Sequence, residues 1–166
     1  MLSRLFVTVS DVGPYQALVA HLRISGVQYR EFTHPPAASA LEYHQIVGSR
    51  LEHQAKALLF RRYGDDGSRS YLIYALPGSA EADIERLLRS TQSRRLRLAT
   101  RGELQQQTGC RFGELPPVGS IFGCQLAFDS RLLGINALYF NAGCLDRSIV
   151  MDADTLVALE APIIVQ

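Results

Sequence analysis

Lys56 is the only lysine among seventeen Lys and Arg side chains, and it lies in the apolar run Ala55-Lys56-Ala57-Leu58-Leu59-Phe60. An ammonium is a compact point charge with rotatable donors, whereas a guanidinium is a planar fork that a tight pocket excludes. Burying such a cation demands a partner or a function, because desolvation disfavours the charged form. The competing reading is structural: a strand lysine can lay its methylenes over apolar neighbours and keep its head in water. A second candidate is the loop Val118-Gly119-Ser120-Ile121-Phe122-Gly123. Its glycines let backbone come close to a ligand, and successive N–H groups can cradle an anion or a developing oxyanion. A plain turn between strands is the alternative. Asn141-Ala142-Gly143 carries the same pair of readings.

Covalent and metal-dependent chemistry finds no matching pattern. His21, His34, His44 and His53 lack H-E-x-x-H or similar ligand spacing, so no metal or cofactor is expected. No G-x-S-x-G elbow and no Walker or dinucleotide glycine pattern occurs. Cys110, Cys124 and Cys144 are odd in number and widely spaced, which reads as free thiols in a reducing compartment. Any enzyme here works by positioning and electrostatics.

The elements that must position these residues follow from periodicity and caps. Pro14 to Ser25 reads as a helix with Gly26 just past its end. Val27 to Thr33 reads as a strand closed by His34-Pro35-Pro36. Ser39-Ala-Leu-Glu42 is a capping box opening a helix that ends near Gly48. Ala55 to Tyr63 and Ser70 to Leu76 read as a hairpin around Gly64-Asp65-Asp66-Gly67, with apolar residues on both faces of the first strand. Ser79 is the expected cap for a helix over Glu81 to Arg89. Leu96 to Ala99 is a brief strand, and Thr100-Arg-Gly-Glu103 caps a helix stopping at Gly109. Short strands follow at Gln125 to Phe128, Ala137 to Phe140 and Ser148 to Met151. Asp152 caps a helix through Leu159, and Ile163-Ile164-Val165 closes the chain.

The expected fold is α+β: one domain over residues 1–166, with a mixed, curled, barrel-like β-sheet flanked by helices. A length of 166 residues suits one domain. The net charge of +1 gives no global basic field, so nucleic-acid contact needs a local patch. Arg86, Arg89, Arg94, Arg95, Arg97 and Arg101 offer one, unless they are merely the solvated faces of a helix and a strand. The segment Met1 to Ser10 lacks a long apolar leader core, and no stretch approaches the ~20 apolar residues of a membrane helix. A cytoplasmic protein is expected.

A strand ending in His-Pro-Pro, a capped helix, an apolar strand with a lysine, a P-x-G-S-x-F-G loop and F-N-A-G before a final strand and helix occur here in that order. The ordered set resembles the YbaK/prolyl-tRNA-synthetase-associated family of editing domains, over about Leu18 to Leu159. The resemblance implies trans-editing: an aminoacyl-tRNA deacylase hydrolysing the ester of a mischarged tRNA. Lys56 would anchor the substrate near its terminal adenosine. Gly119, Ser120 and Gly123 would hold the ester, and water would attack with help from the substrate's own ribose hydroxyl. By the same resemblance Phe32, His34, Ala57, Phe122, Asn141, Gly143 and Ser148 would shape the substrate pocket. The partner would be the acceptor end of a mischarged tRNA, with a synthetase or a signalling protein as further candidates. Some members carry asparagine where Ala57 stands, tyrosine at Phe32, histidine at Asn141, or aspartate near Ser148. Those departures leave a second reading, a catalytically inactive tRNA-, nucleotide- or ligand-sensing module on the same fold.

Overall fold

The computed structural model describes residues 9–166; Met1 to Thr8, part of the amino end read above for a leader core, lie outside them. The described residues open with α1 (Val9–Val12) and α2 (Pro14–Ile24). α2 buries Ala17, Leu18, Val19 and Leu22; of the stripe Leu18, Leu22 and Ile24 that its spacing anticipates, the first two are core and Ile24, at the helix end, is exposed. β1 (Arg30–Thr33) is shorter than expected, since its pairing starts only at Arg30 opposite Val150. At the start of α3 (Ala40–Val47) the expected cap forms: Ser39 Oγ accepts from the Glu42 amide at 3.1 Å, while Glu42 Oε2 reaches one residue past the cap and accepts from the Ala38 amide at 2.9 Å. Such caps contribute about 1 kcal/mol each.

The hairpin of β2 (Ala55–Tyr63) and β3 (Arg69–Pro77) is the backbone of the larger sheet. α4 (Ile84–Thr91) starts later than expected: Asp83, not Ser79, caps it by accepting from the Arg86 amide, while Ala80 still turns back onto Pro77. Then come β4 (Arg95–Leu98), α5 (Arg101–Thr108), β5 (Gln125–Asp129), β6 (Leu138–Asn141), β7 (Arg147–Met151), α6 (Ala153–Glu160) and β8 (Ile163–Val165). Thr100 and Asp152 cap α5 and α6 as their sequences foretell.

The α+β class stands, but the barrel does not. Five strands order as β4-β2-β3-β5-β8, mixing antiparallel and parallel pairs, and a separate sheet orders as β1-β7-β6. Neither sheet closes. A parallel bridge between Gln54 and Tyr139 is where β6 meets the start of β2. Beyond it β6 is held elsewhere, for Asn141 Nδ2 donates to the carbonyls of Ala37 and Gly113 at 3.1 and 2.6 Å. From the other side, β4 pairs with β2 only from Phe60 to Tyr63. The outer edge of β2 from Ala55 to Leu59 is therefore left without a neighbouring strand over most of its length. Ala57 and Leu59 pack into one core with Leu18, Phe128 and Leu138, while Leu58 and Phe60 pack into another under α4. Both faces of β2 are covered, as its composition implies.

Candidate active site

The open edge of β2 forms one wall of a cleft of about 320 Å³. Five consecutive residues, Ala55 to Leu59, line it. A cleft on one face of a strand would touch every second residue; one along its edge touches all of them. Opposite stand Tyr139, Phe140 and Asn141 at the end of β6, with Ser39 and Tyr43 of the α3 region and Phe112, Gly113 and Leu115 completing the enclosure.

Lys56 lines this cleft half-buried, and its ammonium forms no hydrogen bond or ion pair among the described residues. Burial holds its pKa below the ordinary lysine value, partly opposed by the charge of Glu81. Its neighbour Ala57 matters through backbone. Leu59 O accepts from the Ala99 amide at 2.8 Å, so odd-numbered residues of β2 turn their peptide groups away from β3. Two residues earlier, Ala57 turns its N–H and C=O the same way, toward the cleft, where no strand runs beside it.

Among the expected site residues, Lys56, Ala57 and Asn141 come together here. Ser148 and His34 stand just behind: Ser148 Oγ bonds Asn141 Oδ1 at 3.4 Å and His34 Nε2 at 2.7 Å. Phe32 stacks against His34 and Tyr139 at 5.6 and 6.2 Å between ring centres, on the outer side of that wall.

Gly119, Ser120, Phe122, Gly123 and Gly143 are not among the residues lining the cleft. The amides of Gly119 and Ser120 do converge on an oxyanion, but it is the protein's own: both donate to Glu160 Oε1, at 2.8 and 3.0 Å. Ser120 Oγ and His21 Nε2 approach Glu160 Oε2 at 2.8 and 2.9 Å. The Glu160 side chain is only 2% exposed. Burial pushes its pKa up, and the bonds from His21 and Ser120 outweigh that and hold it below the usual carboxylate range. Phe122 is core, and Gly143 takes φ +82 where a Cβ would press on Pro14 and Tyr15 at 2.9 Å.

Sequence reasoning missed Tyr43, Gln54, Phe112 and Gly113. Gly113 has φ +85, and a Cβ there would collide with the Ala38 backbone, so a glycine lets this wall reach the Ala38 segment. The Tyr43 hydroxyl is buried without a hydrogen bond among the described residues, and burial raises its pKa well above the tyrosine norm despite a nearby Ser148 hydroxyl. No local signal marks these residues, which the chain fold alone gathers.

Among the described residues the cleft lining contains no carboxylate, imidazole or thiol. No cluster of three metal-ligating side chains occurs among the described residues, and no helix there is long and apolar enough to cross a membrane. Cys110, Cys124 and Cys144 are free thiols, in no disulfide.

The chain is 29% identical over 149 residues to the multifunctional Ser/Thr-tRNA deacylase ProXp-y of Escherichia coli K12, covering 89% of each chain. Its fold matches the crystal structure of a candidate trans-editing enzyme for prolyl tRNA synthetase with TM-score 0.76 and 24% identity, over 92% of this chain and 96% of that one. A candidate signal transduction protein from Marinobacter aquaeolei carries the same fold over 29% of its length, with TM-score 0.61, 20% identity and 89% of this chain covered. The family model for aminoacyl-tRNA editing domains matches residues 34–159, a span holding the whole of the cleft, and the chain belongs to that family.

Proposed function

We propose that this protein is an aminoacyl-tRNA deacylase acting in trans, and that its substrates carry a small hydroxylated aminoacyl group, serine or threonine. The observation that carries the reading is a cleft whose lining, among the described residues, holds a single cation, Lys56, without a carboxylate in ion-pair distance, and offers no carboxylate or imidazole to act as base. Such a site suits a substrate that brings its own anion and its own proton acceptor. Lys56 grips the terminal nucleotide, and the Ala57 peptide group orients the ester. The ribose hydroxyl beside the ester directs the attacking water. An ester is already activated, so orientation supplies much of the rate.

The amino-acid preference rests on two supports. One is the printed activity of the Escherichia coli relative. The other is the cleft lining, where the polar side chains of Tyr43, Gln54 and Asn141 stand among apolar residues. A site built to bond a substrate hydroxyl discriminates far better than one that measures a methylene. Gly119, Ser120 and Gly123 then serve as a scaffold for the neighbouring backbone, not as contacts to the ester.

A panel of mischarged tRNAs tests this, with wild type and Lys56→Ala side by side. Wild type releases serine or threonine, and Lys56→Ala lowers kcat/KM by about 100-fold, the loss of one charge-assisted contact. No release by wild type from any member of the panel overturns the proposal.

A further inference from the structure

The arginines that crowd the sequence from Arg86 to Arg101 do not form one patch. Arg86 is tied inward, 3.7 Å from the buried Asp129 and 3.2 Å from the Val165 carbonyl, and Arg89 is exposed on α4. Arg95 and Arg97 belong to the opposite side of the sheet. In the ladder Arg97 pairs with Arg61 and Arg95 with Tyr63, so these four share the face that Ala57 and Leu59 occupy further along β2. β3 adds Arg69 opposite Tyr63 and Tyr71 opposite Arg61.

The guanidiniums lie over the rings: Arg61 on Tyr71 at 4.6 Å, and Arg95 and Arg69 on Tyr63 at 5.5 and 5.9 Å. Arg101 caps the series at the cleft mouth, 5.2 Å from the centre of the Phe112 ring that lines the cleft. Of the nearby carboxylates, Glu103 neutralises Arg97 at 2.8 Å, and Asp65 and Asp66 sit at the tip of the hairpin. Arg69, Arg95 and Arg101 are exposed and have no carboxylate within ion-pair distance among the described residues.

We infer that this strip of arginines and tyrosines is the track on which the acceptor arm of a tRNA lies while its aminoacylated end enters the cleft. The inference deepens the deacylase reading and rests on it for the nature of the ligand. Charge and continuity both favour a nucleic acid. The strip begins at Leu98 and Ala99 on the cleft rim and runs the length of β4, roughly 13 Å, as a row of cations. Interleaved arginine and aromatic side chains meet phosphates with charge and unpaired bases with ring faces. A near-neutral chain thereby places its positive charge where the substrate's phosphates must pass.

The test compares full-length seryl-tRNA with seryl-adenosine ester, using the intact protein and the triple variant Arg69→Ala, Arg95→Ala, Arg101→Ala. For tRNA the triple variant should raise KM about tenfold and flatten the salt dependence by about one unit of slope per arginine. For the short ester its kcat/KM should match wild type, and Arg89→Ala should match wild type on both substrates. Unchanged KM and salt slope for tRNA would overturn the track while leaving the deacylase reading intact. An effect seen only when a synthetase is added would overturn it in favour of a protein partner. Should wild type hydrolyse neither substrate, the deacylase reading fails, and direct tRNA binding by the two proteins still decides the track.

Discussion

Two sets of backbone donors distinguish the halves of this molecule: the edge of β2 at Ala57 and the turn at Gly119 and Ser120. Both are of the kind that stabilises an oxyanion. At the turn the donors are saturated by Glu160, whose carboxylate also takes Ser120 Oγ and His21. At the β2 edge, among the described residues, no strand completes the ladder and the adjacent Lys56 makes no ion pair. Saturation makes a clasp that ties α2 and α6 to the loop. Incompleteness leaves donors open to a ligand. A glycine pattern indicates that donors can converge, and only the surrounding fold decides whether the anion is internal or a ligand.

Glu160→Gln is the strongest way to break that contrast. It removes a buried charge from five close contacts and should cost about 3 kcal/mol of stability, read as a lowered midpoint in urea. The folded fraction should keep its kcat, because the clasp does not line the cleft. A mutant of normal stability that has lost activity would reverse the roles of the two regions. The linkage has a definite sign. The folded-state pKa of Glu160 is lowered, so its contribution is complete above the carboxylate value of 4.5 and is lost as pH falls through the folded value.

The pH–rate profile sharpens the other half. Burial lowers the Lys56 pKa, so activity that needs the ammonium should fall as pH rises through a value below 10.5. Lys56→Arg, charged throughout, should lose that alkaline limb even where its planar fork reduces the rate. The same shift means the unfolded chain binds this proton more tightly, so stability from Lys56 rises with pH across that window. An alkaline limb that survives in Lys56→Arg would assign it to another group. The smallest expected effect belongs to Ser120→Ala. Its hydroxyl is one of several donors to Glu160, so the change should cost about 1 kcal/mol and leave kcat/KM within about twofold. A hundredfold loss would return the ester to this turn.

The composition of β2 announced a strand covered on both faces, and the capping boxes at Ser39 and Thr100 announced their helices to within a residue. These are local matters, set by alternation and by side chains that satisfy nearby amides. The lone lysine was legible for the same reason, as a charge in an apolar run. The partners of the glycine turn were not, because Glu160 lies forty residues beyond Ser120 and His21 ninety-nine before it. Nor was the failure of the sheet to close, which depends on where β4 stops and on what holds Asn141. Sequence by itself determined where most helices and strands lie, the pairing of the β2–β3 hairpin, and which residue would be a charge out of place. Tertiary structure alone decided which edges remain unpaired, because hydrogen-bond satisfaction there depends on residues distant in the chain.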